Sequence, residues 1–172
     1  EPIYADRPDI TKMPMPAWDL VETDLYPKVN GRPRGVLAVS RGCPWDCVFC
    51  SVWTVAGKKH RRLPPDQIRS QIMQLFDRGV RRICFLDDNL VISKKSADEL
   101  LTIIETLRSE IPEFRRVRWY IEEGMEVRMS ATPGLVARMA AAGFDNINIG
   151  LETANNARAV EAKKPYTADD MV

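Results

Sequence analysis

The chain has 172 residues, of which 45% are apolar and 28% are charged. This length and composition predict an ordinary globular protein that buries one sizeable core, and they argue against disorder. The net charge of +1 gives no general attraction to nucleic acid or to an anionic membrane, so any partner has to be recognised locally.

The two ends of the sequence bear on location and completeness. No apolar run approaches the roughly 20 residues of a membrane-spanning helix, and the opening residues EPIYADRPDI lack the layout of a signal peptide. We therefore expect a cytoplasmic protein. Because the sequence lacks an initiator methionine and ends abruptly at Met171 and Val172, we also expect a piece of a longer protein.

The first 33 residues are rich in proline, in phrases such as KMPMPAWDL and YPKVNGRP. Proline fixes φ and removes a backbone donor, so this segment disfavours regular structure. We predict a linker or wrapping arm over residues 1–33 and an α/β domain over residues 34–172.

From Gly35 onward, short apolar runs alternate with stretches whose apolar residues recur at helical spacing. The predicted strands are GVLAVS (35–40), RRICFLDD (81–88), VRWYIEE (117–123) and FDNINIGLE (144–152). The predicted helices run from Pro64 to Gly79, from Ser96 to Ser109, from Thr132 to Gly143, and onward from near Thr167. This alternation predicts an α/β fold with a parallel sheet, right-handed crossovers and open edges. Four such units make half of an eight-stranded barrel, which typically needs about 250 residues.

Polar groups follow each predicted strand, where loops of parallel α/β folds carry the chemistry. They are a cysteine-rich loop after the first strand, Asp87 to Asn89 after the second, Glu122 and Glu123 after the third, and Glu152 after the fourth. We expect all four to meet at one rim of the sheet.

The cysteine-rich loop, SRGCPWDCVFCS, places Cys43, Cys47 and Cys50 in the pattern C-x3-C-x2-C. In a reducing compartment such a cluster more often holds a metal than a disulfide. A closed structural zinc site needs four ligands, whereas a four-iron four-sulfur cluster held by three thiolates leaves one iron open. A zinc site completed by His60, the single histidine, is the alternative. Cys84 lies on a predicted strand and is expected to be a buried core thiol.

CPWDCVFC, directly after a first strand, resembles the cluster motif of the radical S-adenosylmethionine (radical SAM) enzymes. FLDDN (85–89) and GLETAN (150–155) are similar to the subgroup that carries an N-terminal cobalamin-binding domain, and the proline-rich arm is similar to the linker after that domain. The resemblance covers about residues 34–165. It implies a TIM-like radical SAM barrel, of which this chain would form roughly half.

The resemblance also implies roles for single residues. The three cysteines would ligate three irons of a [4Fe-4S] cluster, and S-adenosylmethionine (SAM) would bind the fourth. Phe49 would lie against the adenine, and Asp87 or Asp88 would accept hydrogen bonds from the SAM ammonium, where the family commonly has Gly-Gly-Glu. Glu152 would lie near the ribose hydroxyls, and Glu122 near the methionyl part of SAM or the substrate. The sequence identifies no catalytic side chain.

Each of these roles has a simpler structural alternative. Asp87 and Asp88 favour turns and could cap one, Phe49 could be a core residue, and Glu152 could be a plain rim carboxylate. The basic run from Lys58 to Arg62 is typical of a solvated loop. A sharper hypothesis is that it docks an acidic electron donor near the cluster.

The resemblance implies reductive cleavage of SAM to methionine and a 5′-deoxyadenosyl radical, which abstracts hydrogen from an inert position of a small-molecule or peptide substrate. In the cobalamin subgroup the product would be a methylated or rearranged molecule, and a domain outside this chain would hold the cobalamin. A reducing protein such as flavodoxin or ferredoxin would supply the electron. The alternatives are a cobalamin-independent radical SAM enzyme, such as a methylthiotransferase or peptide modifier, and a non-catalytic zinc-stabilised α/β module.

Overall fold

The structure, a computed structural model, describes residues 7–22, 25–26, 28–29, 31–167 and 170. The strands are β1 (Lys28–Val29), β2 (Arg32–Leu37), β3 (Ser40–Arg41), β4 (Arg61–Arg62), β5 (Arg82–Phe85), β6 (Arg118–Met125) and β7 (Phe144–Ile149). The α-helices are α1 (Val52–Val55), α2 (Pro65–Asp77), α3 (Lys94–Glu110), α4 (Val127–Ser130), α5 (Leu135–Ala142) and α6 (Asn156–Glu161). Short 3-10 helices span Ile10–Lys12, Trp18–Leu20 and Pro112–Arg116.

The main sheet has the order β1-β2-β5-β6-β7, in which β2, β5, β6 and β7 are parallel and β1 is antiparallel to β2. The four parallel strands and their crossover helices confirm the predicted α/β architecture of a partial barrel. The strand β7 pairs with β6 and has no further strand partner among the described residues. Most of β7 is exposed, as expected for the last strand of an open sheet.

The helices α2, α3 and α5 bury one face of this sheet. Trp119 lies at the centre of this covered face. The centroid of its ring is 5.7 Å from that of Phe85, and its Nε1 donates a hydrogen bond to the carbonyl of Ala142 at 3.1 Å. Phe85 in turn stacks on Phe144, with ring centroids 6.1 Å apart. A fully buried side chain of this size contributes roughly 1.5–3 kcal/mol through the hydrophobic effect, so this aromatic group anchors three strands to their helices.

The helix boundaries follow from local chemistry. A reciprocal capping box between Ser93 and Ser96 starts α3 at Lys94, two residues earlier than predicted. The helix α5 begins at Leu135 and not at Thr132, because Gly134 precedes it with φ of 74° and interrupts the helical backbone. The helix α6 was not predicted. The helix predicted from near Thr167 falls mainly on residues 168–169 and 171–172, which lie outside the described residues.

The proline-rich arm lies against the domain over its described part. Ile10 is buried, Trp18 packs against the core, and Arg78 Nε donates to the carbonyl of Trp18 at 2.9 Å. The strand β2 already begins at Arg32, so the domain boundary between residues 33 and 34 stays a prediction.

The second face of the main sheet carries no covering helix among the described residues. Side chains alternate between the two faces along each strand, so the residues that do not point into the helix-covered core point to this second face. We call it the open face: Arg34, Val36, Tyr120, Glu122, Asn146 and Asn148 are exposed or partly exposed on it, and Cys84 of β5 is buried there between Val36 and Tyr120. No helix within the described ranges is long and apolar enough to cross a membrane.

Candidate active site

The loops after all four parallel strands meet at one cleft of about 400 Å³. The three clustered cysteines form one wall of the cleft, and the loops after β5, β6 and β7 form the others. The side chains that line it and bear on its chemistry are Cys43, Cys47, Phe49, Cys50, Asp88, Asn89, Glu123, Glu126, Glu152, Lys164 and Tyr166.

The backbone of the cysteine loop is fixed at its base. The strands β3 and β4 pair antiparallel, and the N–H of Cys43 donates to the carbonyl of Gly57 at 3.0 Å. Gly42 has φ of 92°, and a Cβ at this position would lie 2.4 Å from the carbonyl oxygen of Lys59. Only glycine fits this close approach, so the loop geometry depends on the residue that directly precedes the first cysteine.

Cys43 and Cys50 are partly buried and accept weak hydrogen bonds, and Cys47 is buried. Asn89 Nδ2 lies 3.9 Å from the sulfur of Cys43, and the N–H of Val52 donates to the sulfur of Cys50 at 3.4 Å. Burial raises the pKa of Cys43. Burial also raises the pKa of Cys47, while the ammonium of Lys164 opposes that rise. All four cysteines are free thiols, so the described structure contains no disulfide between them.

The thiols fit a cluster better than a single ion. Among the described residues, no group of three or more histidine, cysteine or acidic side chains is arranged to hold one metal ion. A [4Fe-4S] cluster distributes its thiolates over separate irons, so the sulfurs need not converge on one point, and N–H groups directed at sulfur suit such a cluster. His60 lies in a different cleft, where Nε2 is 3.1 Å from the carbonyl of Asn89.

The two aspartates after β5 take different positions. Asp87 is only 1% exposed and accepts hydrogen bonds from the N–H of Val39 at 3.1 Å and from the hydroxyl of Ser40. Burial raises the pKa of Asp87 to about 6, although these hydrogen bonds oppose the rise. Asp88 accepts a hydrogen bond from the N–H of Gly42 at 2.7 Å and lines the cleft. Asp87, predicted as a SAM contact, therefore lies behind the loop and outside the cleft.

Glu122, predicted to lie near the methionyl part of SAM or the substrate, does not line the cleft. Its carboxylate pairs with Arg34 on the open face, and Glu123 lines the cleft instead. The cause is a register shift between Ile121 and Met125, where Gly124 has φ of 114°. A glycine inside a strand is the usual sequence sign of such a bulge. Gly124, directly after the two glutamates, was therefore the sequence feature that indicated this bulge.

Glu126 also lines the cleft and was not predicted. It is buried and forms an ion pair with Arg128. The guanidinium of Arg128 lies 5.1 Å from the ring centroid of Trp45, which sits between the first two cysteines. The loop after β6 thus braces the cysteine loop.

The predicted residues Phe49 and Glu152 both lie in the cleft. Phe49 is 59% exposed, which excludes the alternative of a core residue within the described structure. Glu152 has φ of 47°, a conformation that a side chain other than glycine adopts at a cost and that is common at functional sites. An ion pair with Lys164 holds its carboxylate.

Lys164 is a further cleft residue that was not predicted from the sequence. Its side chain is 9% exposed, and its ammonium lies 5.2 Å from the ring of Phe49 and 5.5 Å from that of Tyr166. The segment is tied to the cysteine loop, since the N–H of Val48 donates to the carbonyl of Ala162 at 3.2 Å. A lysine held between two rings beside a carboxylate is a fixed positive charge at the thiols.

The basic run divides into structural and exposed members. Arg61 donates to the carbonyls of Pro8 and Ala56 at 2.8 Å each, and Arg62 donates to the carbonyl of Leu90 at 3.3 Å. Lys58 and Lys59 are exposed, and Lys58 also pairs with Asp46 at 2.9 Å.

Comparison with known proteins decides the family. The model of the radical SAM superfamily matches residues 37–172. The chain belongs to the radical SAM superfamily. Membership implies a [4Fe-4S] cluster and SAM as cofactors, and it does not favour the zinc-stabilised module.

Individual relatives of this radical SAM chain are named as methyltransferases. It is 29% identical over 149 residues to an uncharacterized methyltransferase of Synechocystis sp., covering 86% of this chain and 26% of the relative. It is 28% identical over 157 residues to the hopanoid C-2 methylase of Rhodopseudomonas palustris, with the same two coverages of 86% and 26%. The chain thus spans about a quarter of the length of these relatives.

A solved structure shares the fold. The radical SAM methyltransferase TsrM from Kitasatospora setae, with cobalamin and a [4Fe-4S] cluster bound, superposes with a TM-score of 0.68 at 18% identity, covering 81% of this chain and 26% of TsrM. The radical SAM fold of the chain is therefore observed in its geometry as well as in its sequence.

Proposed function

We propose that the protein to which this chain belongs is a cobalamin-dependent radical SAM methyltransferase. The observation that carries this proposal is a cleft with three cysteines on one loop and no fourth thiol beside them, since Cys84 is buried on β5 within the described structure. Three thiolates leave one iron of a [4Fe-4S] cluster open to SAM.

Cys43, Cys47 and Cys50 would hold the cluster. The bound cluster would supply one electron to SAM, which cleaves to methionine and a 5′-deoxyadenosyl radical. The chain's own contribution is to keep these thiols at fixed positions. At one end of the loop, Asp88 accepts a hydrogen bond from the N–H of Gly42. Further along the loop, the carbonyl of Ala162 accepts a hydrogen bond from the N–H of Val48.

The remaining cleft residues would bind and orient SAM. The exposed ring of Phe49 offers a face to the adenine, and Glu152 offers acceptors to the ribose hydroxyls. Asp88 and Glu123 provide carboxylates for the ammonium of SAM. Lys164 would hold Glu152 and Phe49 in place, since its ammonium contacts both.

Methyl transfer and cobalamin form the finer part of the proposal. The relatives above are named as methyltransferases, and TsrM was solved with cobalamin bound. A cobalamin-independent enzyme is the alternative. Cobalamin that stays bound to the full-length protein during purification supports the first, and its absence after growth with added cobalamin supports the second.

An acidic electron donor would dock beside the cysteine loop. Lys58, Lys59 and Arg7 are exposed there, and the neighbouring Val55 is 77% exposed. Positive charge around an apolar patch suits an acidic protein such as flavodoxin or ferredoxin. Reversing Lys58 and Lys59 to Glu should slow reduction by flavodoxin several-fold at low salt and leave reduction by dithionite unchanged; equal rates with flavodoxin would refute this docking site.

The full-length protein, purified and reconstituted without oxygen, tests the enzymatic proposal. With SAM and dithionite it should release 5′-deoxyadenosine and methionine, detected by liquid chromatography. The Cys47→Ala variant should release neither, and the Cys84→Ala variant should release both, because Cys84 is buried on β5 and does not line the cleft. A colourless protein that contains zinc but no iron or sulfide would refute the proposal.

A further inference from the structure

The open face of the sheet is polar where the inside of a barrel is usually apolar. The interiors of (β/α) barrels are filled mainly by branched apolar side chains. Here the positions across the middle of the parallel strands carry Arg34, Val36, Cys84, Tyr120, Glu122, Asn146 and Asn148, of which all but Val36 and Cys84 are polar. The apolar exceptions with large exposed fractions are Val36 on this face and Ile149 at the end of β7.

An ion pair crosses the middle of this face. Arg34 lies on β2 and Glu122 on β6, and β5 runs between these two strands. The Arg34 side chain therefore passes over β5, where Cys84 is fully buried. Burial raises the pKa of Cys84, and the adjacent Arg34 lowers it. Both partners of the ion pair remain partly exposed, with 37% of Arg34 and 44% of Glu122 accessible.

Further polar groups surround the ion pair. Asn148 Nδ2 donates to the backbone carbonyl of Glu122 at 2.7 Å, and the hydroxyl of Tyr120 donates to Asp145 at 3.0 Å. The guanidinium of Arg82 lies 4.5 Å from the ring centroid of Tyr120. These side chains form two neighbouring polar groups, one around Glu122 and one around Tyr120. The group around Glu122 lies next to the cleft, because the cleft residue Glu123 directly follows Glu122 in the chain.

The chemistry of this surface limits what can occupy it. A hydrocarbon polycycle laid on Arg34 and Glu122 would remove their water without replacing any hydrogen bond, which is unfavourable for charged groups. A molecule with hydroxyl, amide, carboxylate or phosphate groups would replace those hydrogen bonds. We propose that the open face binds the substrate, and that this substrate is a polar, hydrogen-bonding molecule and not a hopanoid-like hydrocarbon. The inference rests on the proposed function and goes beyond it in naming the substrate class.

The test uses the full-length protein in the organism that encodes it. The gene is deleted and replaced with the wild type, with Cys47→Ala, or with the double variant Arg34→Leu/Glu122→Leu, and cell extracts are divided into an aqueous methanol fraction and a hexane fraction. Mass spectrometry then finds products that depend on Cys47 and are heavier than a precursor by one methylene. The matched control is Arg69→Leu/Glu110→Leu, which removes an equally exposed ion pair (40% and 49%) on the outer helices.

We expect the Cys47-dependent product in the aqueous methanol fraction. The Arg34/Glu122 variant should reduce it about tenfold or more, since a hydrogen bond to a charged group contributes roughly that factor, and the Arg69/Glu110 variant should not. The affinity of the purified Arg34/Glu122 variant for SAM should equal that of the wild type, which separates substrate binding from the SAM contact predicted for Glu122.

Three results would overturn the inference: a Cys47-dependent product found only in the hexane fraction, a product insensitive to the Arg34/Glu122 variant, or methylation of the hopanoid hydrocarbon diploptene by the purified protein. If the double variant lacks iron because it misfolds, Asn148→Leu decides the same question with one exposed uncharged residue. The absence of any Cys47-dependent product would instead contradict the proposed function, and the substrate inference with it.

Discussion

The carboxylate of Asp87 accepts a hydrogen bond from the hydroxyl of Ser40, 47 residues earlier in the chain. Ser40 begins β3 and lies three residues before the first clustered cysteine. The buried aspartate therefore fixes the start of the cysteine loop to the end of the neighbouring strand.

The burial of Asp87, which outweighs this hydrogen bond in its effect on the pKa, predicts a pH dependence of stability. The pKa of Asp87 is raised from 3.8 to about 6 in the folded protein, so the folded state holds this proton more tightly than the unfolded state. Its favourable contribution is fully present below pH 4 and is lost as the pH rises to about 6, a change of about 3 kcal/mol. Chemical unfolding of the apoprotein from pH 4 to 7 should show the unfolding free energy of the wild type falling by most of this amount relative to that of Asp87→Asn. Parallel pH profiles of the two proteins would contradict this prediction.

Substitution of Gly42 should prevent cluster assembly. In Gly42→Ala the new Cβ meets the backbone oxygens of Lys59 at 2.4 Å and Gly57 at 2.9 Å, so the loop that carries the thiols must move. Gly79→Ala is the matched control, because its φ of 78° is also positive but no atom lies within 4 Å of the new Cβ. Iron and sulfide analysis after reconstitution should show a loss of most iron in Gly42→Ala alone. Equal losses in the two variants would assign the effect to backbone strain.

Removal of the Lys164 charge should lower the reduction potential of the cluster. A positive charge near an iron–sulfur cluster favours the reduced, more negative state, so Lys164→Gln should shift the midpoint potential down, on the order of tens of millivolts. Lys163→Gln removes an adjacent exposed charge and should have a much smaller effect. A redox titration monitored by electron paramagnetic resonance (EPR) measures the midpoint potentials of both variants. Equal shifts in the two variants would contradict a specific effect of the Lys164 ammonium on the cluster.

Neutralisation of the two adjacent glutamates should separate their roles. Glu123→Gln removes a carboxylate from the cleft and should weaken SAM binding several-fold, since it loses a charge-assisted hydrogen bond. Glu122→Gln changes the open face and should leave SAM binding intact. Equilibrium binding of SAM to the reconstituted protein measures the affinity of both variants. Weaker binding in Glu122→Gln than in Glu123→Gln would contradict this prediction and would support a contact between Glu122 and SAM.

The fold and the cysteine loop could be predicted because they rest on local signals. Alternating apolar strands and helices determine the parallel sheet, and C-x3-C-x2-C identifies the metal-binding loop without knowledge of its neighbours. The placement of Glu123 depends on a bulge at Gly124, which turns the strand by one residue. Such a shift exchanges the two faces of a strand, which is why Glu122 lies on the open face and the adjacent Glu123 lies in the cleft.

The position of Lys164 depends on tertiary contacts that no local pattern contains, and the position of Asp87 depends on where its strand ends. Lys164 reaches Glu152 and Phe49 only because the chain returns after α6 to the cysteine loop. Asp87 faces away from the cleft because the alternation of β5 continues past its end at Phe85, so that Asp87 points to the same side as the buried Phe85. The alternation was visible in the sequence, but the position at which the strand ended was not.

The EPR spectrum of the reduced full-length protein, recorded before and after addition of SAM, tests the central claim most directly. Three thiolates and one open iron predict a [4Fe-4S] signal that changes when SAM binds. The signal should be lost in Cys43→Ala, Cys47→Ala and Cys50→Ala and retained in Cys84→Ala. A cluster signal that SAM leaves unchanged, or one that depends on Cys84, would contradict the three-cysteine site.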